Sequence, residues 1–279
     1  MFNLLDIYPT EKDPLTFGIT MTLKFREEDL DTYNSWLRAV EDYSQRNLTF
    51  CSDKFPAISG LAVEIQALTG SDYIASLWSG DFLRGLLWRS GITNIEGHHS
   101  PGRLPKLSLR QLLDYPSRID TSLCFAPSWS WAASSGPISY DLVNIYKSGR
   151  DEKDTRLPKI LEVSLAKIGS NPWAPLLGGY IVLSGCLKPL SRLHEVSSRH
   201  KFKVSYDTGW ENAQGDVFVL LVRFTDQNLG WFVGHWECGF GLALKKTGKG
   251  VEEYKRIGVV SDIGSSAFND TEDEIIRIV

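Results

Sequence analysis

In the first part of the chain apolar positions recur every three or four residues, the period of a helix with one buried stripe. Between Arg26 and Arg46 they are Leu30, Tyr33, Trp36, Leu37, Val40 and Tyr43, which predicts an amphipathic helix. Arg26, Glu27, Glu28 and Asp29 put mainly negative charge near its start, where the helix dipole favours it. Ser52-Asp53 offers an N-cap for a second helix through Ala57, Ile58, Leu61, Ile65 and Leu68, and Gly70 is placed to cap its C-terminus. A third segment, Tyr73 to Trp88, carries Ile74, Leu77, Trp78, Phe82, Leu83, Leu86 and Leu87, and reads as helical with a break near Gly80.

Later in the chain the period changes from three and four to two. Leu161, Val163 and Leu165 alternate with Glu162 and Ser164, and Phe202, Val204 and Tyr206 with Lys203 and Ser205. Further strands are predicted over Asp216 to Thr225, Trp231 to Trp236, Tyr254 to Val260 and Glu274 to Val279. Helices first and strands later give an α+β protein, not alternating βαβ units. The expectation is a single domain over residues 1–279, a helical half of about 1–115 packed on a mainly antiparallel β half of about 125–279. Gly91 to Pro105 lacks apolar periodicity and reads as a loop, and the charges of Ser148 to Pro158 read as a solvated seam. No period of 20–50 residues recurs, which excludes a solenoid or propeller.

Composition narrows the function classes. Thirty Lys and Arg against 34 Asp and Glu leave a formal charge of −4, so no net positive field exists to hold nucleic acid. Cys51, Cys124, Cys186 and Cys238 form no CxxC pair, which argues against structural zinc and for free thiols in a reducing compartment. The residues after Met1 lack a basic n-region and a long apolar run, and Val217 to Val222 is too short to span a bilayer. The expectation is a cytoplasmic protein with no membrane and no nucleic-acid partner.

Standard catalytic signatures do not occur. Thr247-Gly248-Lys249-Gly250 lacks the spacing of a P-loop, and no GxGxxG, HExxH or GxSxG is present. His98-His99 is an adjacent pair on a Gly/Pro loop without further ligands at metal-site spacing, and His235 lies in an aromatic, strand-like run. No cofactor and no metal is expected. Two aromatic segments stand out. One runs from Leu77-Trp78 through Asp81 and Arg84 to Leu87-Trp88; on a helix the two charged residues lie three apart and can pair. The other, Ala126-Pro127-Ser128-Trp129-Ser130-Trp131-Ala132, is followed by Gly136-Pro137-Ile138-Ser139-Tyr140. On a strand Trp129 and Trp131 would point to one face and make an aromatic wall. Trp78, Asp81, Arg84, Trp88, Trp129, Trp131 and Tyr140 are therefore candidate ligand-binding residues; the same side chains also suit an ordinary aromatic core. Arg84 is expected to be buried, holding Asp81 or a nearby backbone carbonyl.

These segments resemble the region downstream of the HET domain in fungal heterokaryon-incompatibility proteins. Trp36, Val40, Tyr43, Ser44, Arg46, Leu48 and Thr49 match its W-x-x-x-V-x-x-Y-S-x-R-x-L-T helix. Asp53, Lys54, Ala57 and Gly60 match D-K-x-x-A-x-x-G, and Tyr73, Leu77, Trp78, Leu86, Leu87 and Trp88 match Y-x-x-x-L-W with its closing L-L-W. Pro127 to Ala132 and Gly136, Pro137 and Tyr140 match P-S-W-S-W-A and G-P-x-x-Y. The signatures of the HET domain itself, L-S-Y-x-W-G, I-D-x-x-C-I-N-Q and R-x-W-T-x-Q-E, do not occur. The resemblance implies a regulatory or recognition module in incompatibility-type responses, with a HET domain or another protein as partner. A second expectation is a cofactor-free cyclase or isomerase of fungal secondary metabolism, whose aromatic pocket would fold a small apolar or aromatic molecule.

Overall fold

A computed structural model describes residues 29–46, 53–91, 126–144, 157–167, 176–196, 202–207, 215–228, 235–250 and 252–279, with Trp173, Gly209, Trp210 and Ala213. The loop from residue 92 to Pro105, His98-His99, and most of the charged seam at 148–158 lie outside these residues. So do residues 231–234, and the side chains of His235 and Cys238 are not described either.

Helix α1 (Leu30–Ser44) buries Tyr33, Trp36, Leu37 and Val40, the expected stripe. It packs against α2 (Lys54–Thr69), which ends at Gly70 in the left-handed region, φ 67°. In α2 the buried positions are Phe55, Ile58, Ala62, Ile65 and Thr69, so Ala57, Leu61 and Leu68 of the expected stripe face outward. The helix is apolar on nearly every side, and periodicity alone cannot choose between two such stripes. Lys54 helps fix the rotation, because its buried Nζ donates to the carbonyls of Ala132, at 2.9 Å, and Ser134. Asp53 makes no side-chain cap.

Residues 73–88 are not a helix. They form a hairpin of β1 (Tyr73–Ile74) and β2 (Leu77–Trp78), a 3-10 turn at Ser79–Asp81, and a single helical turn, α3 (Phe82–Gly85). Ala75 and Ser76 sit at φ 49° and 71°, the left-handed pair that a tight two-residue hairpin turn needs. Neither is Asn or Gly, so the turn carries no sequence signature. Two bonds from elsewhere hold it, Ser130 Oγ donating to Ala75 O at 2.7 Å and Trp36 Nε1 to Ser76 O at 3.3 Å, with a local one from Tyr73 Oη to Ser76 Oγ at 3.2 Å.

The segment around Trp129 and Trp131 is not a strand either. It turns at Ser128–Ser130 and continues as a 3-10 turn at Trp131–Ala133. Ser130 starts that turn by accepting a bond from Ala132 N at 3.2 Å, a use of serine that alternation with Trp disguises. Two short strands, β3 (Arg89–Ser90) and β4 (Ile138–Ser139), then pair, and α4 (Asp141–Asn144) follows.

The second half is a sheet of β5 (Lys159–Lys167), β6 (Leu176–Pro189), β7 (Lys203–Tyr206), β8 (Val217–Asn228), β9 (His235–Lys246), β10 (Glu253–Gly264) and β11 (Asp273–Ile278), with helix α5 (Leu190–Val196) after β6. Pairings β6–β8, β8–β9, β9–β10, β10–β11 and β11–β6 make a closed circuit; β5 adds to β6 and β7 to β10. All are antiparallel except β10–β11. The α+β class expected from the sequence is therefore the class observed.

Val217 and Val219 to Val222 are buried, and Phe218 partly so, because β8 is covered on both faces. Leu220 and Val222 join a core that runs through Leu242, Ile181 and Ile278 into Trp36, Ile58, Trp88 and Trp129 of the helical half, which extends past residue 115 through α4. Val217, Val219 and Leu221 face a second cluster with Ile257, Val260, Leu193 and Phe268.

Candidate functional site

The seven candidate residues are all buried, at 7% exposure or less, but they do not share one wall. Trp78 meets Trp36 edge-on at 5.3 Å and Tyr73 at 5.2 Å between ring centroids. Trp129 packs on Phe82 at 5.8 Å, and Trp131 on Tyr43 at 6.2 Å. Among the described residues no ring contact joins two of the four candidate indoles. Tyr140 Oη donates to Gly85 O at 3.3 Å, and Trp88 Nε1 to Trp129 O at 3.1 Å, so these aromatics tie α3 and the 128–134 turn together. Burial raises the Tyr140 hydroxyl far above the ordinary phenol range.

Asp81 and Arg84 do pair. Arg84 Nε lies 3.4 Å from Asp81 Oδ1, with both side chains out of solvent, and Arg84 Nη2 donates to Asn34 Oδ1 of α1 at 2.6 Å. The guanidinium thus fastens the first helix to the 79–85 turn.

The most unusual electrostatic feature involves two residues that sequence reasoning did not single out. Arg256 of β10 is wholly buried. Its guanidinium stacks 3.3 Å from the centroid of Trp88, and Nη2 donates to Trp88 O and lies 3.4 Å from Asp207 Oδ1. Among the described residues its Nε and Nη1 have no hydrogen-bond partner. Desolvation pulls Arg256 down to about 10, with Asp207 opposing, and pushes Asp207 up to about 6, with Arg256 opposing. A signal for Arg256 does exist in the sequence: it sits two residues after Tyr254, in phase with a buried side chain. Nothing marks Asp207 as its partner.

The same neighbourhood joins the two halves. Arg256 N donates to Ser128 Oγ at 3.0 Å; Ser128 N donates to Val279 O at 3.1 Å, and Ser128 Oγ donates to the same carbonyl. Other buried or half-buried ionisable groups serve local joints. Lys54 is pulled down to about 8 by burial. Glu41 is raised by burial, although it accepts bonds from Tyr140 N and from Ser139 Oγ, the latter at 3.1 Å. Arg89 pairs with Asp141.

Among the described residues no group of three or more His, Cys, Asp or Glu is placed to hold a metal ion. No described helix is long and apolar enough to cross a membrane. No family model, no curated protein and no solved structure matches the chain.

Proposed function

We propose that the chain is a regulatory or recognition module of the kind found downstream of HET domains, acting in the cytoplasm through its surface and not through a catalytic pocket. One observation carries this reading: the indoles that would line a substrate cavity are packed into the core, Trp129 at 0% and Trp78, Trp88 and Trp131 at no more than 2% exposure. Large aromatics held edge-on against one another supply cohesion, and no face of them is left for a substrate. The ion pairs at Arg84 and Arg256 fit the same role, since each joins separate chain segments.

The competing reading, a cofactor-free cyclase or isomerase, draws on Asp207, a carboxyl that burial raises to about 6. A direct experiment separates them. The full chain is titrated with a separately purified HET domain from the same genome, and in parallel its thermal transition is followed in a panel of polycyclic and terpenoid compounds. The module reading expects saturable protein binding and no shift with the compounds. Stabilisation by a compound that Trp129→Ala or Asp207→Asn abolishes would replace it with the enzyme.

A further inference from the structure

Strand β11 is paired along its whole length on one side only. Residues 273–278 pair with β6, whereas β10 covers only Arg277 and Ile278, through Glu253 and Tyr254. The bonds Arg277 N to Glu252 O, at 2.9 Å, and Val279 N to Tyr254 O, at 3.0 Å, lie on the β10 side. Strand alternation points the N–H and C=O of Ile275 to that same side, and among the described residues no strand takes them up. A cleft of about 300 Å³ opens there, lined by Val182, Gly250, Glu252, Glu253, Ile275 and Arg277. Its volume is at the lower end of the range for binding pockets, roughly 300–1,000 Å³.

The side chains around the edge define what fits. Ile275 is 62% exposed, and Val182 lies beside it on the neighbouring strand, directly opposite Arg277. Glu272, Asp273 and Glu274 are exposed along the edge, with no Lys or Arg between 271 and 276. Glu252 and Glu253 line the other wall. Of the nearby cations, Arg277 stacks on Tyr180 at 4.3 Å and Lys246 is paired with Glu252 at 3.0 Å. The edge therefore offers backbone donors and acceptors, an apolar step and excess negative charge.

We propose that this edge accepts an extended segment of a partner protein as an added strand, one in which apolar residues alternate with lysine or arginine. Main-chain bonds to Ile275 supply affinity, the apolar side chains seat over Ile275 and Val182, and the basic ones meet Glu272 and Glu274. The inference goes beyond the module reading, which assigns no surface. It stands on the edge and cleft alone, and its failure would leave that reading intact.

The test uses the full chain and a labelled peptide of alternating lysine and valine, about eight residues long, the length of an ordinary strand. Controls are its glutamate–valine counterpart and a version N-methylated at alternate residues. Fluorescence anisotropy at low salt should show saturable binding of the lysine peptide, weakening as salt is added, and at least about tenfold weaker binding of both controls. Ile275→Pro removes an N–H that no described residue takes up, together with the exposed isoleucine side chain, and should abolish binding. Equal binding of the N-methylated peptide, or unchanged binding to folded Ile275→Pro, would show mere charge attraction and overturn the proposal. If Ile275→Pro does not fold, the N-methylated peptide decides alone.

Discussion

Arg256 carries a charge on a wholly buried side chain, and its neighbours bear the consequence. Asp207 is drawn in as a counter-ion, yet burial raises its carboxyl from 3.8 to about 6 despite the cation. Between those values the folded protein holds a proton that the unfolded chain has released, so its contribution to stability falls as pH rises from about 4 to about 6 and is level above. Urea midpoints measured across that window should decline less steeply for Asp207→Asn than for the natural protein. Arg84 is the simpler case, because its partners Asp81 and Asn34 are both identified. Arg84→Ala takes its cation away from a buried carboxylate and should cost on the order of 3 kcal/mol in denaturant titration. Arg84→Lys should recover only part of this, since an ammonium cannot reach both partners with a planar fork. A wild-type midpoint for Arg84→Ala would show that the pair contributes nothing.

Among the elements, the pairing of β7 with β10 leaves no room for a side chain at Gly258. A Cβ at Gly258 would run into the carbonyl oxygen of Ser205 and stand 2.9 Å from Tyr206 Cα, both backbone of β7. Gly258→Ala should therefore displace β7 at a cost of about 2 kcal/mol or more, with amide exchange accelerated at Val204 to Tyr206 and little changed in β8. Which elements were legible follows from where their determinants lie. The stripe of α1, the glycine stop of α2 and the runs of β5, β7, β8, β10 and β11 are written locally, as period and punctuation. β6 is not predicted, because Gly178, Gly179, Gly185 and Pro189 resemble loop residues, and β9 is anticipated only at its first two residues, since the strand expected over Trp231 to Trp236 lies otherwise outside the described residues. Two of those glycines are places where neighbours come close: a Cβ at Gly179 would lie 2.7 Å from Ser164 O, and one at Gly185 3.2 Å from Leu220. The Ala75-Ser76 turn and the Trp129–Trp131 segment were misread for a related reason, since partners far along the chain hold both. The candidate residues were recognisable as a set. That they build core, and that Arg256 and Asp207 sit behind them, depends on which strands come together.

At the scale of the molecule, the helical and β halves share one buried cluster and the Ser128–Val279 and Trp88–Arg256 joints. A chain cleaved near Gly149 should give pieces that, once separated, are insoluble or lack a sharp unfolding transition, because each exposes apolar surface made for the other. Two pieces that each melt sharply would show that the shared cluster is not needed by either. The strand circuit has a further consequence, in time and not in space. Its last member, β11, closes the ring between β10 and β6, and Val279 bonds to both Ser128 and Tyr254. A ribosome makes these residues after all the strands they must join. Until then β6 and β10 leave the exit tunnel with open edges beside a half-covered core. The growing chain can form its local helices and hairpins early, but the ring and the joint to the helical half must wait for the final strand. During synthesis that interval leaves strand edges and part of the core uncovered, and it is when the chain is most open to pairing with another.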